Sequence, residues 1–106
     1  DAAAATARAL VARAPGTREG WYQLGRTIAE SGMRTPELLA EGAAALERFI
    51  ATPAGEEEAP LASAWLRLGM IRERQGDRAL ARGAYQQALK ADPELDDARA
   101  GVQRTR

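Results

Sequence analysis

A five-residue pattern that occurs twice constrains the fold of this chain more than any other feature. Trp21–Gly25 reads WYQLG and Trp65–Gly69 reads WLRLG, so the two tryptophans lie 44 positions apart. Each copy is followed seven residues later by another glycine, Gly32 or Gly76, and is preceded by a proline within six residues. A segment that recurs together with its helix breakers predicts repeated supersecondary units that stack on one another.

The composition between the breakers indicates helices rather than strands. Alanine is abundant, β-branched residues are few, and glycine and proline fall between the periodic segments, which favours an all-α fold. Capping residues then place the ends: Thr35 with Pro36, Asp77, and Asp92 with Pro93 each predict a helix start. We therefore expect about six helices, near residues 2–14, 18–31, 36–51, 59–75, 78–91 and from 93 onward.

One segment, residues 62–95, has large and small residues at fixed intervals across two predicted helices. They are Trp65, Leu68, Gly69, Gly76, Asp77, Ala81, Tyr85, Ala88 and Pro93. In this spacing the segment resembles the tetratricopeptide repeat, a helix–turn–helix unit of about 34 residues with a W-x₂-L-G start. The physical reason is that Gly69 and Ala81 are small where two antiparallel helices approach, and Tyr85 fills the space beside Trp65.

The resemblance extends over the whole chain and predicts a single domain, residues 1–106. It implies a half repeat or N-terminal helix at 1–15, a first repeat with insertions at 18–53, a second repeat at 62–95 and a C-terminal capping helix at 93–106. The architecture implied is a short right-handed α-solenoid of antiparallel helix pairs. Such arrays bury each unit against its neighbours, so a chain with few repeats is expected to be part of something longer or to self-associate through its N-terminal helix.

The second helix of the first repeat is displaced relative to that of the second repeat. Gly42 takes the place of Ala81 but lies ten residues after Gly32, whereas Ala81 lies five residues after Gly76. Five inserted residues around positions 33–37 follow from this count, and we expect them in a loop or an added helical turn.

Composition excludes several classes of function. The chain contains 15 basic and 15 acidic residues, which argues against nucleic-acid binding, and no apolar run approaches the length of a membrane span. It has no Cys and no His, so a thiol nucleophile, a histidine base and a cysteine zinc site are impossible. We expect no catalysis, no cofactor and no metal. The alanine and arginine content favours a bacterial source, with cytoplasm and periplasm both open.

The resemblance implies a protein-interaction module that holds a peptide or protein segment in a concave groove lined by the first helix of each repeat. By position, the expected contacts are Tyr22, Arg26, Leu66, Arg67, Met70, Glu73 and Arg99. One subclass of the family grips C-terminal carboxylates with Lys and Asn side chains. This chain has no Asn and only Lys90, so that clamp is not expected.

Several alternatives stay open at the level of sequence. Tyr22, Leu66 and Met70 predict an exposed apolar strip, which the first helix, the cap helix or a loop would otherwise cover. Arg72 stands where an apolar residue is usual and is expected to lay its stem on the core or remain partly exposed. The run of residues 56–58 is interpreted as favouring a helix N-terminus rather than as a cation site. The alternative function is structural stacking or oligomerisation within a larger, possibly exported, bacterial protein.

Overall fold

A computed structural model describes residues 18–32, 34–52 and 60–106 of the chain. These residues form helices and no strand, so the all-α prediction is confirmed. The first predicted helix, at residues 2–14, and the acidic run at 56–58 lie outside the described residues. The five helices are α1 (Arg18–Ser31), α2 (Pro36–Ala51), α3 (Pro60–Arg74), α4 (Arg78–Ala91) and α5 (Asp96–Arg104).

The helices form two hairpins that share a core. Helix α1 packs on α2 and α3 packs on α4, while α3 also contacts both helices of the first hairpin and α5 covers the second. Ile28, Leu46 and Ile71 are fully buried in the cluster that joins the hairpins. Burying an aliphatic side chain of this size contributes about 2 kcal/mol, so this shared cluster holds the hairpins side by side.

Glycines stand where helices approach most closely. A Cβ atom added to Gly69 would lie 2.7 Å from Tyr85 Cε1, and one added to Gly101 would lie 2.6 Å from Tyr85 Cδ2. The Tyr85 ring is therefore held between α3 and α5. Leu46 lies against Gly25 in the same way. Leu46 and Tyr85 thus fill equivalent gaps in the two hairpins.

Both hairpin turns use a glycine in the left-handed backbone region, Gly32 at φ 74° and Gly76 at φ 84°. Side chains with a Cβ rarely adopt this conformation, which explains why both helices end there. In the second turn the Asp77 carboxylate accepts a hydrogen bond from the Leu80 N–H at 3.0 Å, which caps α4 as predicted. Thr35 occupies the N-cap position of α2, but its side chain makes no capping hydrogen bond.

The extra residues of the first hairpin divide between its turn and α2. Ala81 is the fourth residue of α4, whereas its counterpart Gly42 is the seventh residue of α2. The remaining extra residues lengthen the turn after Gly32. Leu38, in the added part of α2, is buried, and so is Leu39 beside it. The insertion therefore adds apolar surface to the core as well as length to the turn.

The predicted start of the last helix at Asp92 and Pro93 is wrong. Asp92 ends α4, because its N–H donates to the Ala88 carbonyl at 2.8 Å. Its carboxylate accepts a hydrogen bond from the Glu94 N–H at 3.0 Å, which closes a local turn that competes with helix formation. The capping helix begins only at Asp96. Among the described helices, none has the length and apolar content that a bilayer crossing requires.

Candidate protein-binding surface

The lead helices of the two hairpins, α1 and α3, lie against each other. Trp21 and Trp65, one from each helix, are both partly buried and pack against the same apolar cluster. The helices that carry the repeated motif therefore share one side of the molecule. Six side chains from these two helices define what we call the α1–α3 surface: Arg26, Glu30, Arg67, Met70, Glu73 and Arg74.

An acidic side chain joins the predicted arginines of the two helices. Glu30 Oε1 accepts hydrogen bonds from Arg67 Nη2 at 2.6 Å and from Arg26 Nε at 3.2 Å. The bond from Arg67, followed by that from Arg26, lowers the pKa of Glu30 below its ordinary value of 4.5. Arg67 Nε is buried and has no hydrogen-bond partner among the described residues. Arg26 and Arg67 are thus brought together across the boundary between hairpins.

Arg74 fastens the far end of α1 to α3. Its guanidinium donates to the carbonyl of Ile28 at 3.1 Å and to the carbonyl of Ala29. These carbonyls belong to the last turn of α1, where no following helical N–H group is present to bond them. This end of the helix also carries partial negative charge. Burial lowers the pKa of Arg74, and the positive charge of Arg34 lowers it further.

A three-residue network ties the capping helix to the second hairpin. Arg104 Nη2 of α5 donates to Glu73 Oε1 of α3 at 2.8 Å, and the Tyr85 hydroxyl of α4 donates to the same oxygen. The bond from Arg104 is the main reason that the pKa of Glu73 is lowered. Burial, and then the bond to Glu73, raise the pKa of Tyr85. The bond to Glu73 also raises the pKa of Arg104. All three groups therefore keep their neutral-pH charge states.

Two cavities open beside this network. The larger, of about 270 Å³, lies between the α1–α2 turn, α3 and the end of α5, and we call it the arginine pocket. The smaller, of about 150 Å³, lies between α3 and α5 and is lined in part by Leu66 and Asp97. Met70 lines both. The residues that line the arginine pocket are Arg34, Met70, Glu73, Arg74, Tyr85 and Arg104.

The predicted apolar strip is largely covered. Leu66 is only 6% exposed and packs in a cluster with Tyr85 and Ala98, so the alternative that the cap helix covers it is what the structure shows. The Tyr22 ring centroid lies 4.9 Å from that of Phe49 on α2, so Tyr22 packs within its own hairpin and is partly buried. Met70 remains partly exposed at the edge of the strip.

Arg99 lies apart from the other predicted contacts. It sits on α5, where its guanidinium donates to the Pro93 carbonyl at 2.7 Å and lies 3.5 Å from the Asp96 carboxylate. Arg72, the departure from the family pattern, pairs with Glu47 of α2 at 2.5 Å and donates to Gln75. Arg72 therefore forms a salt bridge that joins the two hairpins.

Sequence reasoning missed Glu30, Arg34, Tyr85 and Arg104 as parts of this surface. Glu30 carried a signal, since it follows Arg26 by four residues, the spacing of an ion pair on a helix. Tyr85 was assigned to the core, where its ring does lie. Arg34 and Arg104 gave no local signal, because their meeting depends on the path of the turn and of α5.

Residues 62–95 match the family model of the tetratricopeptide repeat. They span almost all of α3, the turn at Gly76 and all of α4. The second hairpin is therefore the part of the chain that matches a tetratricopeptide repeat. No curated protein matches the chain. Tetratricopeptide repeats serve in general as protein–protein interaction modules and are generally non-catalytic.

Proposed function

We propose that this chain holds an extended or helical segment of a partner protein on the α1–α3 surface and catalyses no reaction. The observation that carries the proposal is the contact of α1 with α3, which places Arg26, Glu30 and Arg67 in one hydrogen-bonded row across both helices. A row of polar side chains that crosses from one repeat to the next offers a continuous track to a bound segment.

The charges of the surface favour an acidic segment. Three arginines of the α1–α3 surface face two glutamates, and the adjoining arginine pocket adds Arg34 and Arg104. Complementary charge speeds association and rejects basic segments. Met70 adds a flexible apolar contact that adapts to different side chains. The proposed partner segment therefore combines acidic residues with at least one apolar side chain.

The protonation of the site supports binding rather than chemistry. General acid–base catalysis works best with a group whose pKa is near the working pH. Here the pKa of Glu73 is lowered and the pKa of Tyr85 is raised, so both move away from neutrality. Among the described residues no cluster of acidic side chains is suited to hold a metal ion.

The test is a selection of random displayed peptides on the immobilised protein, followed by affinity measurement of the enriched peptides. Removing the two charges of the track, with Arg26→Gln and Arg67→Gln together, should weaken binding about tenfold or more, as expected for lost charge-assisted hydrogen bonds. Arg48→Gln, at an exposed position on α2, is the matched control and should leave binding unchanged. Circular dichroism melts check that all variants fold.

Three outcomes would speak against the proposal. Enrichment of no peptide, or equal binding by the double variant, would remove the α1–α3 surface as the binding site. Concentration-dependent self-association in sedimentation, without peptide binding, would instead favour the structural and oligomerising role. The absence of nucleic-acid binding stays a prediction, and a single-stranded oligonucleotide should fail to displace a selected peptide.

A further inference from the structure

The arginine pocket holds more positive charge than its own acid neutralises. Three of its six lining residues are arginines and only one is acidic. Glu73 already accepts hydrogen bonds from Arg104 and Tyr85, so it has little capacity left for a second cation. The pocket therefore carries a net positive charge, which favours the binding of an anion over that of a cation.

Of the three arginines, Arg34 is the one whose guanidinium is not already engaged by the described residues. Arg74 is engaged by two carbonyls of α1, and Arg104 is engaged by Glu73. Arg34, in the turn between α1 and α2, is exposed and has no ion pair or hydrogen bond with any described side chain. Its charge also acts on Arg74, whose pKa it helps to lower. An anion placed between Arg34 and Arg74 would relieve that repulsion.

The size of the pocket limits the kind of chemical group that can carry the anion into it. Pockets for drug-sized ligands measure roughly 300–1,000 Å³, so a volume of about 270 Å³ suits a single side chain or a chain terminus. Guanidinium groups bind carboxylates through two parallel hydrogen bonds, which gives both strength and orientation. Met70 supplies an apolar wall for the methylene groups that carry such a carboxylate.

The pocket continues the α1–α3 surface. Arg67, Met70 and Arg74 follow one another at helical spacings of three and four on α3, so they share a face of that helix. Glu30 binds Arg67 through its side chain, and the neighbouring Ala29 carbonyl binds Arg74. A segment that lies along the polar track thus reaches the pocket without leaving the surface.

We propose that the arginine pocket receives one carboxylate of the bound partner segment, with Arg34 as its principal ligand and Arg74 and Arg104 as the pocket walls. This inference rests on the proposed function, because the segment delivers the carboxylate. The carboxylate comes from an Asp or Glu side chain or from a chain terminus. The site is distinct from a clamp of Lys and Asn side chains, since its cations are arginines of the turn, α3 and α5.

The test uses the folded chain, ¹⁵N-labelled, and the NMR signals of the arginine Nε–H groups. The probes are acetyl-Leu-Glu-amide, acetyl-Leu-Gln-amide and acetyl-Leu-Gln with a free terminal carboxylate. Both carboxylate probes should shift the Arg34 and Arg104 signals, and the uncharged probe should not at equal concentration. Arg34→Gln should raise the Kd of the tighter carboxylate probe about tenfold, whereas Arg48→Gln should leave it unchanged. The carboxylate probe that binds more tightly shows whether the pocket prefers an acidic side chain or a chain terminus.

The inference is overturned if the charged and uncharged probes shift the same signals equally. It is also overturned if the Arg34→Gln variant binds the tighter probe with the same Kd as the unmodified chain. Inorganic phosphate that binds tenfold tighter than either carboxylate would also overturn it in favour of a phosphate site. A failure here is distinguishable from failure of the proposed function. Displayed peptides would still be enriched and would still depend on Arg26 and Arg67 when only the pocket assignment is wrong.

Discussion

The two hairpins fill the same gap with different side chains, and only one of those side chains has a polar end. In the first hairpin Leu46 lies against Gly25 and is fully buried in the apolar cluster. In the second, Tyr85 lies against Gly69 and Gly101, and its hydroxyl reaches Glu73 at the surface. Leu46 in the first gap therefore contributes packing alone, whereas Tyr85 in the second gap also links the core to the arginine pocket.

The turns of the two hairpins differ in a complementary way. The second turn is short and tightly capped by Asp77. The first is longer and carries Arg34 to the rim of the arginine pocket. The pocket thus needs the departure from the repeat pattern in the first hairpin as well as the regular packing of the second. Irregular connections are where repeat proteins commonly place residues for binding.

The largest expected effect separates the two glycines that face the gap residues. Gly69→Ala should destabilise the fold by about 3 kcal/mol, because the rigid Tyr85 ring is held from both sides and cannot move away. Gly25→Ala should cost more, because its added Cβ would lie 2.2 Å from Cγ of Leu46, a side chain that is fully buried and cannot turn to another rotamer without disturbing the core. Gly83→Ala is the control: nothing lies within 4 Å of its added Cβ, so it should stabilise α4 by about 0.5–1 kcal/mol. Urea unfolding of the three variants gives the ranking, and an equal cost at Gly25 and Gly69 would show that the gaps do not differ.

The next effect tests whether the ring and the hydroxyl of Tyr85 act separately. Tyr85→Leu makes the second gap resemble the first and should cost about 2 kcal/mol through the cavity left behind. Tyr85→Phe keeps the ring and should cost about 1 kcal/mol through the lost hydrogen bond to Glu73. Thermal unfolding measures both. A Phe variant as unstable as the Leu variant would mean that the network, rather than the packing, dominates at this position.

Arg74→Ala probes the bond between the hairpins. It removes two hydrogen bonds to the last turn of α1, and the expected cost is about 1.5 kcal/mol. Arg48→Ala, in the last turn of α2 and exposed, should change stability by less than about 0.5 kcal/mol. Hydrogen exchange adds detail, since the amides at the end of α1 should lose protection in the Arg74 variant. Unchanged protection there would contradict the capping role.

The smallest effect is the share of the pH dependence that Glu73 contributes in the second hairpin. The folded-state pKa of Glu73 lies below its ordinary value of 4.5, so its stabilising contribution is fully present above that pH. It is lost as the pH falls through the folded value, when the carboxylate is protonated and releases Arg104. Glu73→Gln should therefore flatten the acid side of the stability profile between about pH 5 and 3. Glu94→Gln, an exposed control on the turn before α5, should leave the profile unchanged.

Sequence alone placed the repeat and most helix ends because their signals are local. Gly32 and Gly76 take positive φ where the motif predicts a turn, and Asp77 caps α4. The start of α5 was misplaced because Asp92 has two local options, a helix cap and a turn that it closes itself.

That misplacement matters for the site. Leu66 looked exposed on a helical face, and only the path of α5 shows that it is covered. The arginine pocket could not be predicted from the sequence for the same reason, because Arg34 and Arg104 come from segments that only long-range packing brings together. Local patterns thus specified the hairpins, while the surface between them required the fold.

The most direct test of binding on the α1–α3 surface is a ¹⁵N NMR titration of the chain with the tightest peptide from the display selection. We expect the backbone amides of α1 and α3, together with the Nε–H signals of Arg34 and Arg67, to shift and saturate together. Shifts confined to the outer faces of α2 and α4, with these signals unmoved, would contradict it.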